Sequence, residues 1–147
     1  MEPNIAIRRG KLTDINNVYN LGLRIKELNF SRKIRFHEKR EMKEWIKKPR
    51  DNLFFTALDS RKVVGFVYAK IVDKDWCMLD NIAVAEDYRR TGIGTNLLNK
   101  VCQELKKRKV TYIQALVEEH HTKARKFWEN HRFQKGKIFV WYEKRLK

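Results

Sequence analysis

Arg89-Arg90-Thr91-Gly92-Ile93-Gly94-Thr95 is the stretch whose residue types and spacing point most directly to chemistry. Gly92 and Gly94 bring bare backbone to the start of an amphipathic run that carries Ile93, Leu97, Leu98, Val101 and Leu105 on one side. The first N–H groups of a helix have no partner inside it, and the helix dipole adds partial positive charge there. Arg89 and Arg90 place full positive charge beside those amides. The arrangement is a cradle for an anion of pyrophosphate type.

Two familiar cradles do not fit. A Walker loop reads Gly-x-x-x-x-Gly-Lys-Ser/Thr, and the chain contains no such run. A dinucleotide-binding turn wants a third glycine where Leu97 stands, and a strand leading directly into the turn.

The elements that must position this loop can be read on either side of it. Trp76 to Val84 is apolar on both faces, as a central strand should be, and Gly92 to about Lys107 is the helix that follows. Upstream, Asn4 to Arg9 reads as a strand. A helix then runs to about Leu28, with Thr13 or Asp14 as N-cap and Leu12 as an apolar staple. Asn29 to His37 is a basic, aromatic loop, and Glu38 to Lys47 a short helix closed by Pro49. Asn52 to Leu58 and Lys62 to Asp73 form an antiparallel hairpin in which Gly65 marks a bulge or a close backbone approach. Val110 to Val117 is a parallel strand reached by a right-handed crossover. His121 to Asn130 is a helix, and Phe133 to Leu146 a final strand or strand pair.

With its flanking strand and helix, Arg89-x-x-Gly92-x-Gly94 resembles the acetyl-coenzyme A signature of the GNAT superfamily of N-acetyltransferases, Arg/Gln-x-x-Gly-x-Gly/Ala. Asn81-Ile82-Ala83-Val84 looks like the ribosomal-protein N-terminal acetyltransferase branch of that family. The resemblance covers the whole chain and implies a single α/β (α+β) domain over residues 1–147. Its mixed central sheet would have about six to seven strands, flanked by about four helices. It further implies acetyl-coenzyme A as co-substrate, no metal, and direct acetyl transfer to a primary amine. The pyrophosphate would rest on Arg89, Arg90, Thr91, Gly92, Ile93, Gly94 and Thr95, and the pantetheine arm would pair with Ile82, Ala83 and Val84.

Downstream, the family pattern Asn-x-x-Ala-x-x-Phe-Tyr-Glu-x-x-Gly-Phe matches at Ala124, Phe127, Glu129 and Phe133. His121 stands for the Asn that contacts pantetheine, Arg132 for the Gly, and Trp128 for the Tyr often assigned as general acid. An indole N–H donates a hydrogen bond but is not a usable acid. The family's glutamate bases fall on Met78 and Leu116. Asp80 shares a strand face with Met78 by period-2 alternation and is the first candidate base. Glu118, at the end of the next strand, is the second.

Composition sets the remaining bounds. At 147 residues and 42% hydrophobic the chain can fold as one domain. The net charge of +16, from 34 Lys and Arg against 18 Asp and Glu, attracts coenzyme A, nucleic acid, a ribosome or an acidic surface alike. No nucleic-acid motif supports an RNA-associated domain, and a catalytically degenerate module that only binds coenzyme A is the other competing reading. Cys77 and Cys102 form no redox or metal spacing and fit a reduced, cytoplasmic compartment. No leader and no membrane span are expected. A homodimer paired through an exposed final strand remains open.

Overall fold

The computed structural model describes residues 3–28, 31 and 36–147, so most of the basic loop expected at 29–37 lies outside the described residues. Five strands form one mixed sheet in chain order: β1 (Ile5–Arg9), β2 (Asn52–Asp59), β3 (Lys62–Asp73), β4 (Trp76–Val84) and β5 (Tyr112–Ala115). All neighbours are antiparallel except β4 and β5, which are parallel. Four helices flank the sheet: α1 (Ile15–Arg24), α2 (Lys39–Lys47), α3 (Ile93–Lys107) and α4 (Thr122–Asn130). This is an α+β architecture, with five strands among the described residues rather than the expected six to seven.

Apolar alternation along the strands divides the core into two layers. Leu53, Phe55, Val64, Val67, Cys77 and Leu79 pack with α3 and with Trp128 of α4. Phe54, Leu58, Phe66, Tyr68 and Ala83 pack on the other face with α1 and α2. On that second face Trp45 stacks on Tyr68 with ring centroids 3.6 Å apart. Buried aromatic pairs contribute about 0.5–1.5 kcal/mol beyond their area, which helps hold the short α2 to the sheet.

Two irregularities matter for the site. Gly65 sits opposite Val84 next to a bulge in the β2–β3 ladder, and a Cβ there would lie 3.0 Å from the Ala83 carbonyl and 3.3 Å from Ile93. A bare backbone at this position therefore lets the first turn of α3 close onto β3. The second bulge is in β4: Ala69 pairs with Leu79 and Tyr68 with Asn81, which leaves Asp80 as the extra residue. Before it, Cys77 and Leu79 face α3; after it, Asn81 and Ala83 face α1 and α2.

Three expectations need correction. Residues 133–147 follow α4 without forming a strand, and the large apolar side chains of Ile138 to Tyr142 and of Leu146 are exposed. The first helix ends at Arg24 and gives way to a 3-10 turn at Lys26–Leu28. Its start is a 3-10 turn, Leu12–Asp14, in which Leu12 is exposed and staples nothing. Asp14 turns inward instead. It accepts hydrogen bonds from Arg8 at 2.6 Å, the Lys11 backbone at 2.8 Å and Thr56 at 3.3 Å.

Candidate active site

β4 and β5 pair only as far as Leu79 and Ala115. Beyond that point β4 runs on to Val84, held on one side by β3, and among the described residues no strand pairs with its other side. The Ala85 N–H donates to the Val64 carbonyl at 2.8 Å on the β3 side, so the Val84 carbonyl in the same peptide points to the open side. By alternation, Ile82 and Val84 present N–H and C=O to the opening, while Ala83, opposite Phe66, turns its own to β3. An unpaired edge at the mouth of two parting strands can accept an extended ligand as a further strand.

The glycine loop lies at the end of that edge. A 3-10 turn at Glu86–Tyr88 is clipped to the β2–β3 hairpin by Tyr88, whose hydroxyl donates to Asp59 at 2.7 Å. Arg89 Nε donates to the Val84 carbonyl at 3.1 Å, fixing that guanidinium between strand end and loop. Arg90 and Gly92 both have left-handed backbone, φ 62° and 84°, and Gly92 is the N-cap of α3. The first loop-to-helix bond runs from Asn96 N–H to the Gly92 carbonyl, which leaves the N–H groups of Ile93, Gly94 and Thr95 as the helix's free donors. Thr91 is held back by its hydroxyl on the Tyr88 carbonyl.

The helix α4 braces this start. Phe127 packs against Gly94, where an added Cβ would meet its ring at 3.4 Å. His131 Nδ1 lies 2.7 Å from the Phe127 carbonyl and donates to it, and its Nε2 is hydrogen-bonded with Thr95 Oγ1 at 3.0 Å. His131 was not singled out in the sequence, where it has no distinguishing neighbour. Of the other residues expected on this side, Trp128 is core. It is buried between Phe127 and Phe133, with centroids at 5.2 and 4.7 Å. His121 is the N-cap of α4: its Nδ1 accepts from the Ala124 N–H at 3.0 Å, and its Nε2 lies 3.6 Å from Glu27. The amide of Ala124 is thereby used within the fold.

Asp80 stands where the strands part. Burial pushes its carboxyl above the ordinary carboxylate range, and the nearby charges of His37 and Lys70 pull it only part of the way back. His37 was read as part of a loop. Here its Nε2 lies 2.8 Å from Asn81 Oδ1 and its Nδ1 2.9 Å from Glu41. The His37-x-x-x-Glu41 spacing was the only trace of this in the sequence. Glu118 is exposed, and its carbonyl accepts from the His121 N–H at 3.0 Å in the turn before α4. No hydrogen bond joins it to Asp80 among the described residues. Cys77 is buried, which pushes its thiol up to about 12 and removes it as a nucleophile.

An open β edge leading to a left-handed glycine turn, free helix-terminal amides and two arginines fits a long ligand with a pyrophosphate. The acetyltransferase (GNAT) family model matches residues 18–133. The chain belongs to the GNAT acetyltransferase family. It is an acetyltransferase whose donor is acetyl-coenzyme A, and the described residues contain no group of side chains that could hold a metal ion. No curated protein matches it in sequence. Among solved structures it is similar to the PaiA N-acetyltransferase of Thermoplasma acidophilum in complex with coenzyme A, at 17% identity, 87% coverage of this chain and 88% of that one, TM-score 0.74. It is also similar to the ribosomal-protein-S18-alanine N-acetyltransferase of Escherichia coli, at 24% identity, 91% and 80% coverage, TM-score 0.73. A third is the aminoglycoside 6'-N-acetyltransferase AAC(6')-Ih of Acinetobacter baumannii, at 20% identity, 98% and 100% coverage, TM-score 0.74. At these identities the structures establish the shared fold. No described helix of this GNAT chain is long and apolar enough to cross a membrane.

Proposed function

We propose that this GNAT protein moves an acetyl group directly from acetyl-coenzyme A to a primary amine, with Asp80 as the proton acceptor. A protein N-terminus or lysine is the favoured acceptor, and a small amine the next. Named relatives act in both classes: one is an alanine N-acetyltransferase of a ribosomal protein and another an aminoglycoside acetyltransferase. The observation that carries the reading is the position of Asp80, a desolvated carboxylate at the bulge where β4 leaves β5.

Acetyl-coenzyme A supplies its acetyl group activated as a thioester. Arg89, Arg90 and the amides of Gly92 to Thr95 would hold its pyrophosphate, and Ile82 and Val84 its pantetheine arm. A primary amine is an ammonium at neutral pH and cannot attack until it loses a proton. Asp80, alone or through one water, takes that proton because burial has raised its affinity for it. The N–H groups on the open edge of Ile82 and Val84 are donors for an oxygen that gains charge as nitrogen bonds to the carbonyl carbon. Trp128 is buried and not an acid, so the proton for the departing thiolate comes from solvent. Most of the remaining rate comes from holding the two reactants together.

The test is Asp80→Asn assayed with a panel of peptide, lysine and small amines, beside calorimetric titration with coenzyme A. Turnover should fall by about 10²–10⁴-fold while coenzyme A affinity stays unchanged. Unchanged turnover would move the base to Glu118 or to water. No turnover by the unsubstituted protein with any amine, despite coenzyme A binding, would favour the binding module.

A further inference from the structure

The ends of α2 and α3 meet at one pole of the molecule, and both are basic. The segments are Lys47-Lys48-Pro49-Arg50 and Lys106-Lys107-Arg108-Lys109. The Arg108 guanidinium joins them: one arm donates to the Arg50 carbonyl and the other to the Pro49 carbonyl at 3.3 Å. Seven of these eight residues are cationic, against 34 Lys and Arg in the 147 residues of the chain. Arg108 is half-buried, and the other six cations are exposed.

A helix C-terminus attracts cations, yet the two helix ends account for only part of this charge. The last carbonyls of α3 are already taken by the backbone. Arg108 N–H donates to Glu104 and Leu105 at 3.2 and 3.1 Å, Lys109 N–H to Lys106 at 3.1 Å, and Val110 N–H to Leu105 at 3.0 Å. At the end of α2, the Lys48 carbonyl accepts from the Asn52 backbone N–H at 3.2 Å and from its side-chain amide at 2.9 Å. Glu44 pairs with Lys47 and Lys48, and Glu104 with Lys107 and Arg108. Two helix dipoles of about −0.5 charge each, with Glu44, Asp51 and Glu104, leave about three of the seven positive charges uncompensated. Lys109 also holds a left-handed backbone, φ 59°, just past the end of α3, where Gly or Asn is the usual residue. A lysine there keeps its charge against the preference of its own backbone.

The side-chain chemistry selects among anionic partners. Neither segment has an exposed large apolar side chain, and a basic patch without an apolar anchor holds weakly to a lipid surface. Five of the seven cations are lysines, which interfaces between proteins deplete. Protein–nucleic acid interfaces are much more positively charged, and Lys and Arg there reach mainly phosphate oxygens. We propose that this pole binds the phosphate backbone of a nucleic-acid duplex without reading its bases. It lies at the opposite end of α3 from the glycine turn, and fifteen helical residues put about 22 Å between the two. Duplex and coenzyme A are therefore bound at separate places, and the inference is independent of the acceptor and of the catalytic base.

The experiment is fluorescence anisotropy of the full chain with a labelled mixed-sequence duplex, made as RNA and as DNA, over a range of salt concentrations. The pole variant carries Lys47→Gln, Arg50→Gln, Lys106→Gln and Lys109→Asn. A control of equal net charge carries Lys123→Gln, Lys126→Gln, Lys135→Gln and Lys137→Gln, all exposed and outside the two segments. The unsubstituted protein should bind both duplexes with a steep salt dependence. The pole variant should lose at least tenfold in affinity, and the slope of log K against log salt should flatten by about 3–4, since each phosphate contact contributes about 0.9. The control should keep most of both, and all three proteins should show the same coenzyme A-induced thermal shift. Equal losses in the two variants would overturn the proposal, because the duplex would then be sensing only the net charge. Displacement of the duplex by saturating coenzyme A would place it in the glycine turn and also overturn it. So would the absence of duplex binding, or pole-dependent binding to phosphatidylserine-containing vesicles that is tighter than binding to either duplex.

Discussion

His37 is held between two oxygen acceptors, with Nε2 2.8 Å from Asn81 Oδ1 and Nδ1 2.9 Å from Glu41 Oε2. Positive charge on His37 is one of the two influences, with Lys70, that pull the Asp80 carboxyl back from the rise caused by burial. Replacing it by a neutral side chain should let Asp80 rise further. A base works only when deprotonated, so its activity appears as pH rises through its pKa. In His37→Gln the acid limb of the kcat/KM profile should therefore move to higher pH, with coenzyme A affinity unaltered. A shift to lower pH, or none, would show that Asp80 and His37 are not coupled.

Gly92 sits at φ 84° in the turn that opens α3, and a Cβ there would meet nothing within 4 Å. The penalty for Gly92→Ala is thus backbone strain, of order 1–2 kcal/mol, and not a clash. Relaxing that strain re-aims the amides of Ile93 to Thr95. The dissociation constant for coenzyme A should rise by up to about tenfold, since 1.4 kcal/mol is a factor of ten. Gly92→Asn should lose less, because Asn tolerates the left-handed region. Titration calorimetry of both variants checks the order.

His121 does the work of an N-cap in α4 through Nδ1, 3.0 Å from the Ala124 N–H. His121→Ala should cost about 1 kcal/mol, and His121→Asn should recover most of it, because the Asn side-chain oxygen can accept the same bond. Urea melts of the three proteins decide this. Recovery of stability in His121→Asn together with unchanged coenzyme A affinity would assign the residue to the fold.

These residues also mark how far the sequence could be read. β3, β4 and the antiparallel hairpin of β2 and β3 were legible because strand periodicity and turn residues are local signals. The glycine turn that opens α3 was legible because Gly92, Gly94 and the arginines lie within six residues of one another. Asp80 was chosen by alternation from Met78, and that alternation breaks at the bulge, yet the carboxyl stays near His37 because a bulge turns neighbouring side chains to one side. The roles of His37, His131 and His121 were hidden, since each depends on contacts across helices. The final strand was expected from an apolar run. Periodicity identifies a strand but not where its partner is, and here the run forms no strand among the described residues.

Cys77 lies in the core opposite Ile113 of β5, close to the parting of the strands, and burial pushes its thiol up to about 12. It should react with maleimide only after unfolding, and Cys77→Ala should keep its turnover number while losing about 1–2 kcal/mol of stability to the small void. A large loss of turnover in a folded Cys77→Ala protein would point to an acetyl-enzyme and against direct transfer.

Asp14 makes the stability of the fold depend on pH. Burial pushes its carboxyl up, but the hydrogen bonds from Arg8, the Lys11 backbone and Thr56, with the Arg8 charge, outweigh that and hold it below the ordinary range. A carboxyl lowered in the folded state contributes stability above its unfolded pKa and loses it as pH falls through the folded one. The Arg8 side chain is a third exposed, so solvent screens part of the ion pair, and the buried hydrogen bonds carry most of the effect. Asp14→Asn should therefore lose about 1–3 kcal/mol at neutral pH and much less in acid, where the wild-type carboxyl is itself protonated. Denaturant melts of the two proteins across the acid range should converge as pH falls. Parallel curves at all pH values would mean that Asp14 contributes through packing and not through its charge.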